Sequence, residues 1–191
     1  PEYPERVPQV VTALEAEFRP YPFRGFTLVG VSRDLLHRSG TDGTAFLGGM
    51  VLGSQALDPP DFALALPYVA HEASHQWFPF TVRVVPPGGR YMAEGLAQYG
   101  SLRAVASLLG QEAAERYRTH GLPDWGDGDF SAAGYFRYAA AGYDQALADL
   151  PEAPDGQRII YVKGKLEWEM LPRQLGHNRF RRAMTRHTRE H

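Results

Sequence analysis

The stretch VAHEASHQWF, residues 69–78, holds two histidines four apart, His71 and His75, with Glu72 directly after the first. On an α-helix, residues four apart lie almost one above the other on one face. Two imidazole nitrogens can then converge on one point. Zinc takes neutral imidazole at about 2.0–2.1 Å, and a catalytic zinc has three protein ligands and one open position. Glu72 stands about 100° round the helix, where its carboxylate reaches water at the metal without becoming a ligand. Two ligands and a general base within little more than one turn are the arrangement of the H-E-x-x-H motif. The pair alone is equally compatible with a polar helix surface, or with imidazoles bonded to backbone, so a third ligand has to decide. Eighteen residues separate His75 from Glu94, which stands early in an apolar-striped segment and is followed by Gly95. In isolation Glu94 reads as a helix-surface carboxylate. Behind H-E-x-x-H it is the best candidate to complete the set.

These residues need elements to carry them. Val7, Val10, Val11, Leu14 and Phe18 recur at helical spacing over residues 5–18, and the two prolines of segment 19–25 end that helix. FTLVGVS, 26–32, reads as a strand, and AFLGGMVLG, 45–53, as a second. In the second, Gly48 and Gly49 mark either close backbone approach or a β-bulge. Asp61 is a plausible cap for a helix over 62–78, kinked or restarted at Pro67. TVRVV, 81–85, reads as a short strand. Met92, Leu96, Tyr99 and Leu102 stripe a helix over 91–108, and another helix starts after Gly110. Residues 121–156 are loop-rich, with a short helix near 132–147. Two helices, about 158–175 and 177–190, close the chain around Gly176. Trp77 and Phe78 are expected in the core. One helix, a few strands and then mostly helices predict an α+β domain, a small sheet beside a mainly helical lobe.

Composition narrows the function. The 191 residues suit a single domain spanning 1–191, and a hydrophobic content of 43% provides for a core. A net charge of −2 argues against general nucleic-acid or membrane-surface binding. With no cysteine, any metal must be held by His, Asp or Glu. No apolar run has the length of a membrane span and no signal-peptide pattern opens the chain, which favours the cytoplasm. The first residue is Pro1, as in a processed chain or a piece of a longer protein. Asp124, Asp127 and Asp129 lack EF-hand spacing and read as a solvated loop. The basic end, RFRRAMTRHTREH, reads as a charged helix face. His37, His120, His177, His187 and His191 lack motif spacing and read as surface histidines.

HEASHQWFPF and AEGLAQY resemble the HELAHQWFGN and NEGFAxY segments of the aminopeptidase N family of gluzincins. PYPF, 20–23, is similar to the family's YPF segment, and YVKG, 161–164, to its YxKG. The tail KLEWEMLPRQLGHNRFRRAM is similar to the family's helix pair around a leucine–glycine junction. These blocks occur in family order over about residues 12–188. The resemblance implies a thermolysin-like catalytic domain of a zinc metallopeptidase that hydrolyses peptide bonds. It implies one Zn2+ held by His71, His75 and Glu94, with Glu72 activating zinc-bound water and Tyr161 as oxyanion donor. By its residue type alone, Tyr161 reads as an amphipathic tyrosine near a helix start. A substrate strand would lie along Gly48, Gly49 and Met50. The family's flanking domains are absent from this chain, which implies a catalytic domain from a longer protein.

The departures bear on specificity. Where the family has G-x-M-E-N, with a glutamate that grips the substrate amine, the matching stretch is Gly48-Gly49-Met50-Val51-Leu52. Val51 in the carboxylate's place implies weak preference for a free amino terminus, as in an endopeptidase. Ala93 replaces an asparagine, and PPGGRYM replaces WWxDLW, so Gly89 stands near the place of an acid that would support the ligands. Losses of such supporting groups cost about 10–100-fold in metal affinity or activity. A module that binds zinc and peptide with little or no turnover is the alternative reading.

Overall fold

The computed structural model describes residues 3–38, 41–54, 62–121, 130–147, 156 and 159–190. Helix α1 (Tyr3–Glu17) buries the expected stripe of Val7, Val10 and Leu14, and Phe18 follows just past its end. Phe18 seeds an aromatic cluster, its ring 5.6 Å from Trp77, 5.3 Å from Phe78 and 6.4 Å from Tyr99. Glu17 is buried beside it, and its charge is met by Arg103 at 3.0 Å and the Tyr99 hydroxyl at 3.2 Å.

Strands β1 (Thr27–Val31), β2 (Gly43–Phe46) and β3 (Gly49–Gly53) form a mixed sheet in the order β1-β3-β2, with a short helix α2 (Arg33–His37) after β1. β1 runs parallel to β3, and β2 antiparallel to it. The single strand expected over 45–53 is in fact a hairpin. Phe46 pairs with Gly49 across a turn of Leu47 and Gly48, and Gly48 takes φ 79°, which suits a residue without Cβ. β3 is thereby the inner strand, and β2 lies at the sheet edge.

The helical part follows. Helix α3 (Phe62–Ser74) runs through Pro67, whose carbonyl accepts the Ser101 hydroxyl at 2.8 Å. Helix α4 (Gly89–Leu109) is buried along most of its length and packs most extensively on α3. At their crossing a Cβ on Gly100 would lie 2.2 Å from Ser74 Oγ, so nothing larger than glycine fits without separating the helices. The strand expected at 81–85 does not form. The Thr81 and Val82 amides bond back to the Trp77 carbonyl and the Thr81 hydroxyl to the Gln76 carbonyl, so the first two amides of the segment are taken before a ladder can start.

Helix α5 (Gln111–His120) is followed by α6 (Ala132–Ala140), where Ser131 caps the first turn by accepting from the Gly134 amide at 3.0 Å. A π-helical turn over Ile159–Lys163 leads into α7 (Gly164–Leu175), and α8 (His177–Glu190) closes the described chain. α8 buries Phe180 and Met184, while its arginines face outward. Asp61 and the acids at 124, 127 and 129 lie outside the described residues. Among the described residues no helix is long and apolar enough to cross a membrane. The architecture is α+β, mainly helical with a small mixed sheet.

One buried charge makes a stability prediction. Lys165 is 1% exposed and its Nζ rests 4.5 Å from the centroid of the Tyr117 ring. Burial pulls its pKa down to about 8 from the ordinary 10.5, with Glu169 pulling the other way. Between those values the unfolded chain binds more protons than the folded one, so stability rises with pH across that window and the penalty is fully present below it. Lys165→Met is expected to raise stability at pH 7 by on the order of 1–3 kcal/mol. It should also flatten the rise between pH 8 and 10.5, as read by urea unfolding along that series.

Candidate metal centre and active site

His71 and Glu72 occupy the last turn of α3, and His75 follows one residue past its end. The chain tightens there: the Gln76 amide bonds the Ala73 carbonyl at 3.1 Å and the Trp77 amide bonds the Ser74 carbonyl at 3.0 Å. The spacing of four still brings the two imidazoles together, with ring centroids 4.9 Å apart at 89°. His75 Nδ1 lies 2.8 Å from the Phe78 carbonyl. A carbonyl only accepts, so Nδ1 carries the proton and Nε2 presents its lone pair.

Glu94 arrives from the second turn of α4. Its Oε2 is 3.2 Å from His71 Nε2 and 3.7 Å from His75 Nε2. One ligand atom from each of the three residues lies within 4.8 Å of the other two. A tetrahedron with bonds of about 2.1 Å has edges of about 3.4 Å, and the two measured separations bracket that length. Among the described residues, neither Glu94 Oε2 nor His71 Nδ1, both buried, has a hydrogen bond of good geometry. A buried carboxylate oxygen lying between two imidazole nitrogens suits a cation. Two imidazoles, one carboxylate and no thiolate form a donor set that fits zinc. His75 is oriented by a backbone carbonyl, whereas His71 has no such support on Nδ1.

The electrostatics separate the two carboxylates. Burial pushes the Glu72 pKa up to about 7; His71 offsets part of this and Glu94 adds to it. Burial acts on Glu94 in the same direction, but the His71 contact, the charges of both histidines and a hydrogen bond from Tyr161 hold it down at about 2. One acid is thus poised to exchange a proton near neutrality while the other stays ionised. His75 is shifted down by burial and by His71; His71 is shifted up, because Glu94 and Glu72 outweigh its burial.

Tyr161 sits in the π-helical turn, its ring stacked on His71 at 5.5 Å and 18°. Turns of this kind occur often at functional sites. Burial and the neighbouring Glu94 raise its pKa, so the hydroxyl remains a donor. His71, Glu72, His75, Glu94 and Tyr161 share one cavity of about 280 Å³. Thr41, Gly43, Thr44, Ala45, Pro79 and Phe80 complete its wall.

Gly48, Gly49 and Met50 lie elsewhere, and none of them lines that cavity. Gly48 is in the hairpin turn, Gly49 opens the inner strand and Met50 is fully buried. The strand at the cavity is β2. The sequence signal was Leu47-Gly48, a turn that splits the apolar run. Gln76 went unnoticed in the sequence. Its Oε1 accepts from the Gly48 amide at 2.8 Å, and its Nε2 donates to the Phe46 and Gly49 carbonyls at 3.0 Å each. No pattern of spacing announces a buried amide that holds a hairpin.

No family model and no curated protein matches the chain. Solved structures do. The M1 zinc metallopeptidase from Deinococcus radiodurans is similar with a TM-score of 0.64 at 19% identity, over 95% of this chain and 36% of that one. A point mutant from the same organism, bound to a Tyr-Ser-Ala substrate, gives 0.65 at 18% identity, over 95% and 35%. A two-domain M1 zinc metallopeptidase mutant bound to L-tryptophan gives 0.61 at 19%, over 95% and 35%. The likeness shows a shared fold, and this chain spans about a third of the length of those structures.

Proposed function

We propose that the chain is the catalytic domain of a zinc-dependent, aminopeptidase-N-like metallopeptidase that hydrolyses peptide bonds, with flanking domains in a longer protein. The observation that carries this reading is the convergence of His71, His75 and Glu94 on one point of a cavity that Glu72 and Tyr161 also line. The three convergent residues would hold one Zn2+. When bound, zinc would supply Lewis acidity, making water easier to deprotonate and a carbonyl easier to attack. Glu72 takes a proton from the attacking water and hands it to the leaving nitrogen. The Tyr161 hydroxyl turns from Glu94 to the substrate oxygen as charge builds there, a role worth about 2.7–4 kcal/mol for one such donor. The edge strand β2 offers backbone groups to an extended peptide.

Among the described residues the only carboxylates lining the cavity are Glu72 and Glu94, and both have other tasks. Among the described residues, the substrate amine therefore meets no acid reserved for it. The test begins with metal-free protein reloaded with zinc. One zinc per chain and chelator-reversible cleavage of a peptide library are expected, with amino-acetylated and free versions of a peptide cut at comparable rates. A strict requirement for the free amine would show that another acid grips it. Zinc uptake without any turnover would favour the peptide-recognition alternative.

A further inference from the structure

β2 lies against the Glu72 side chain. A Cβ built on Gly43 would stand 3.0 Å from Glu72 Oε1, 3.3 Å from Glu72 Cγ and 2.9 Å from Leu52 Cδ2. Relaxed contacts between carbons settle at about 3.5–4.0 Å, so a methyl group there and the present neighbours cannot all keep their places. Gly43 is not among the positive-φ glycines, so the backbone itself would accept alanine.

What gives way depends on what is held. Gln76, fully buried and one turn beyond Glu72, pins the far end of β2 through its bonds to Gly48, Phe46 and Gly49. At the near end the Thr41 hydroxyl bonds the Gly43 carbonyl, and the Gly53 amide bonds the Asp42 carbonyl at 3.1 Å. Leu52 is fully buried on the inner strand, and its Cδ2, a side-chain tip, would have to yield to the added methyl whatever stands at position 72. The Glu72 carboxylate faces a cavity, and it is the group with room to move.

We propose that Gly43 is a positioning residue. With β2 fixed by Gln76, its missing side chain gives the Glu72 carboxylate its working place in the cavity. The catalytic meaning rests on the peptidase reading; the contact itself does not. In zinc-loaded protein, Gly43→Ala is expected to lower kcat by about 10–100-fold, with zinc content and KM unchanged. In a Glu72→Asp background, whose carboxylate is one methylene shorter, adding Gly43→Ala should change kcat by less than about threefold, a coupling that independent sites do not show.

A melting cycle needs no turnover. Gly43→Ala should lower Tm by about 3 °C when Glu72 is present, and by less beside Glu72→Ala, where only the Leu52 contact remains. A single variant that fails to fold while the double variant folds counts the same way. Equal drops in both backgrounds, failure of both to fold, or a single variant with unchanged kcat would overturn the proposal. A protein that cleaves no peptide defeats the peptidase reading and leaves Gly43 to the melting cycle.

Discussion

Replacing Glu72 with glutamine is expected to leave one zinc per chain and to lower kcat by about 10²–10⁴-fold, the usual worth of a positioned acid–base group. Glutamine has the size and shape of glutamate, and Glu72 does not belong to the convergent ligand set. The amide cannot accept and return a proton, so the loss should fall on kcat with little change in KM. Metal analysis and steady-state kinetics on the same preparation make the check. Full activity in Glu72→Gln would remove the base from the mechanism. The same variant has a consequence without metal or substrate. Burial raises the Glu72 pKa from 4.5 to about 7, so the folded state binds more protons across that window and stability falls as pH rises through it. Metal-free Glu72→Gln should lack that fall and exceed the wild type above pH 7 by on the order of 1–3 kcal/mol.

The convergence at the centre of the candidate site was legible because its logic is local. Two imidazoles four apart need only one helical turn to meet, and His71 and His75 meet even though α3 ends at Ser74. The apolar stripes of α1 and α4 fixed those helices for the same reason. Where a strand's fate depended on a partner, spacing misled. Thr81 and Val82 had the β-branched composition of a strand, but the turn after α3 captured their amides. The run 45–53 had two strands' worth of residues, and only the turn at Gly48 shows that its first half reaches the cleft and its second half the core. Gln76, Lys165 and Gly43 owe their roles to elements distant in sequence. A buried amide, a buried ammonium and a missing methyl carry no periodic signal, and composition alone would have placed the first two on the surface.

Glu94 governs the second large effect, because in the proposed centre it would be the one ligand that carries charge. With its pKa at about 2 it is ionised throughout the working range, and it would balance the ion while His71 and His75 supply neutral nitrogen. Glu94→Gln keeps an oxygen in reach and removes the charge. Groups that merely support ligands cost about 10–100-fold in metal affinity when lost, so loss of a ligand's charge is expected to cost about 100-fold or more. Competition with a chromogenic chelator reads this directly. Melting reads it a second way: zinc at about 100 times Kd adds about 2.7 kcal/mol to the wild type, an increment the variant should lack at the same concentration. Proton competition sets the pH dependence. His71 is shifted above its ordinary 6.5 by Glu94 and Glu72 despite its burial, so zinc affinity in the wild type should already fall as pH drops towards that value. In Glu94→Gln the main partner of the protonated His71 is gone, and the onset of competition should move to lower pH. An unchanged zinc affinity in Glu94→Gln would mean that the carboxylate 3.2 Å from His71 Nε2 is an ion-pair partner of the histidines and no ligand, and the metal centre would have to be sought without it.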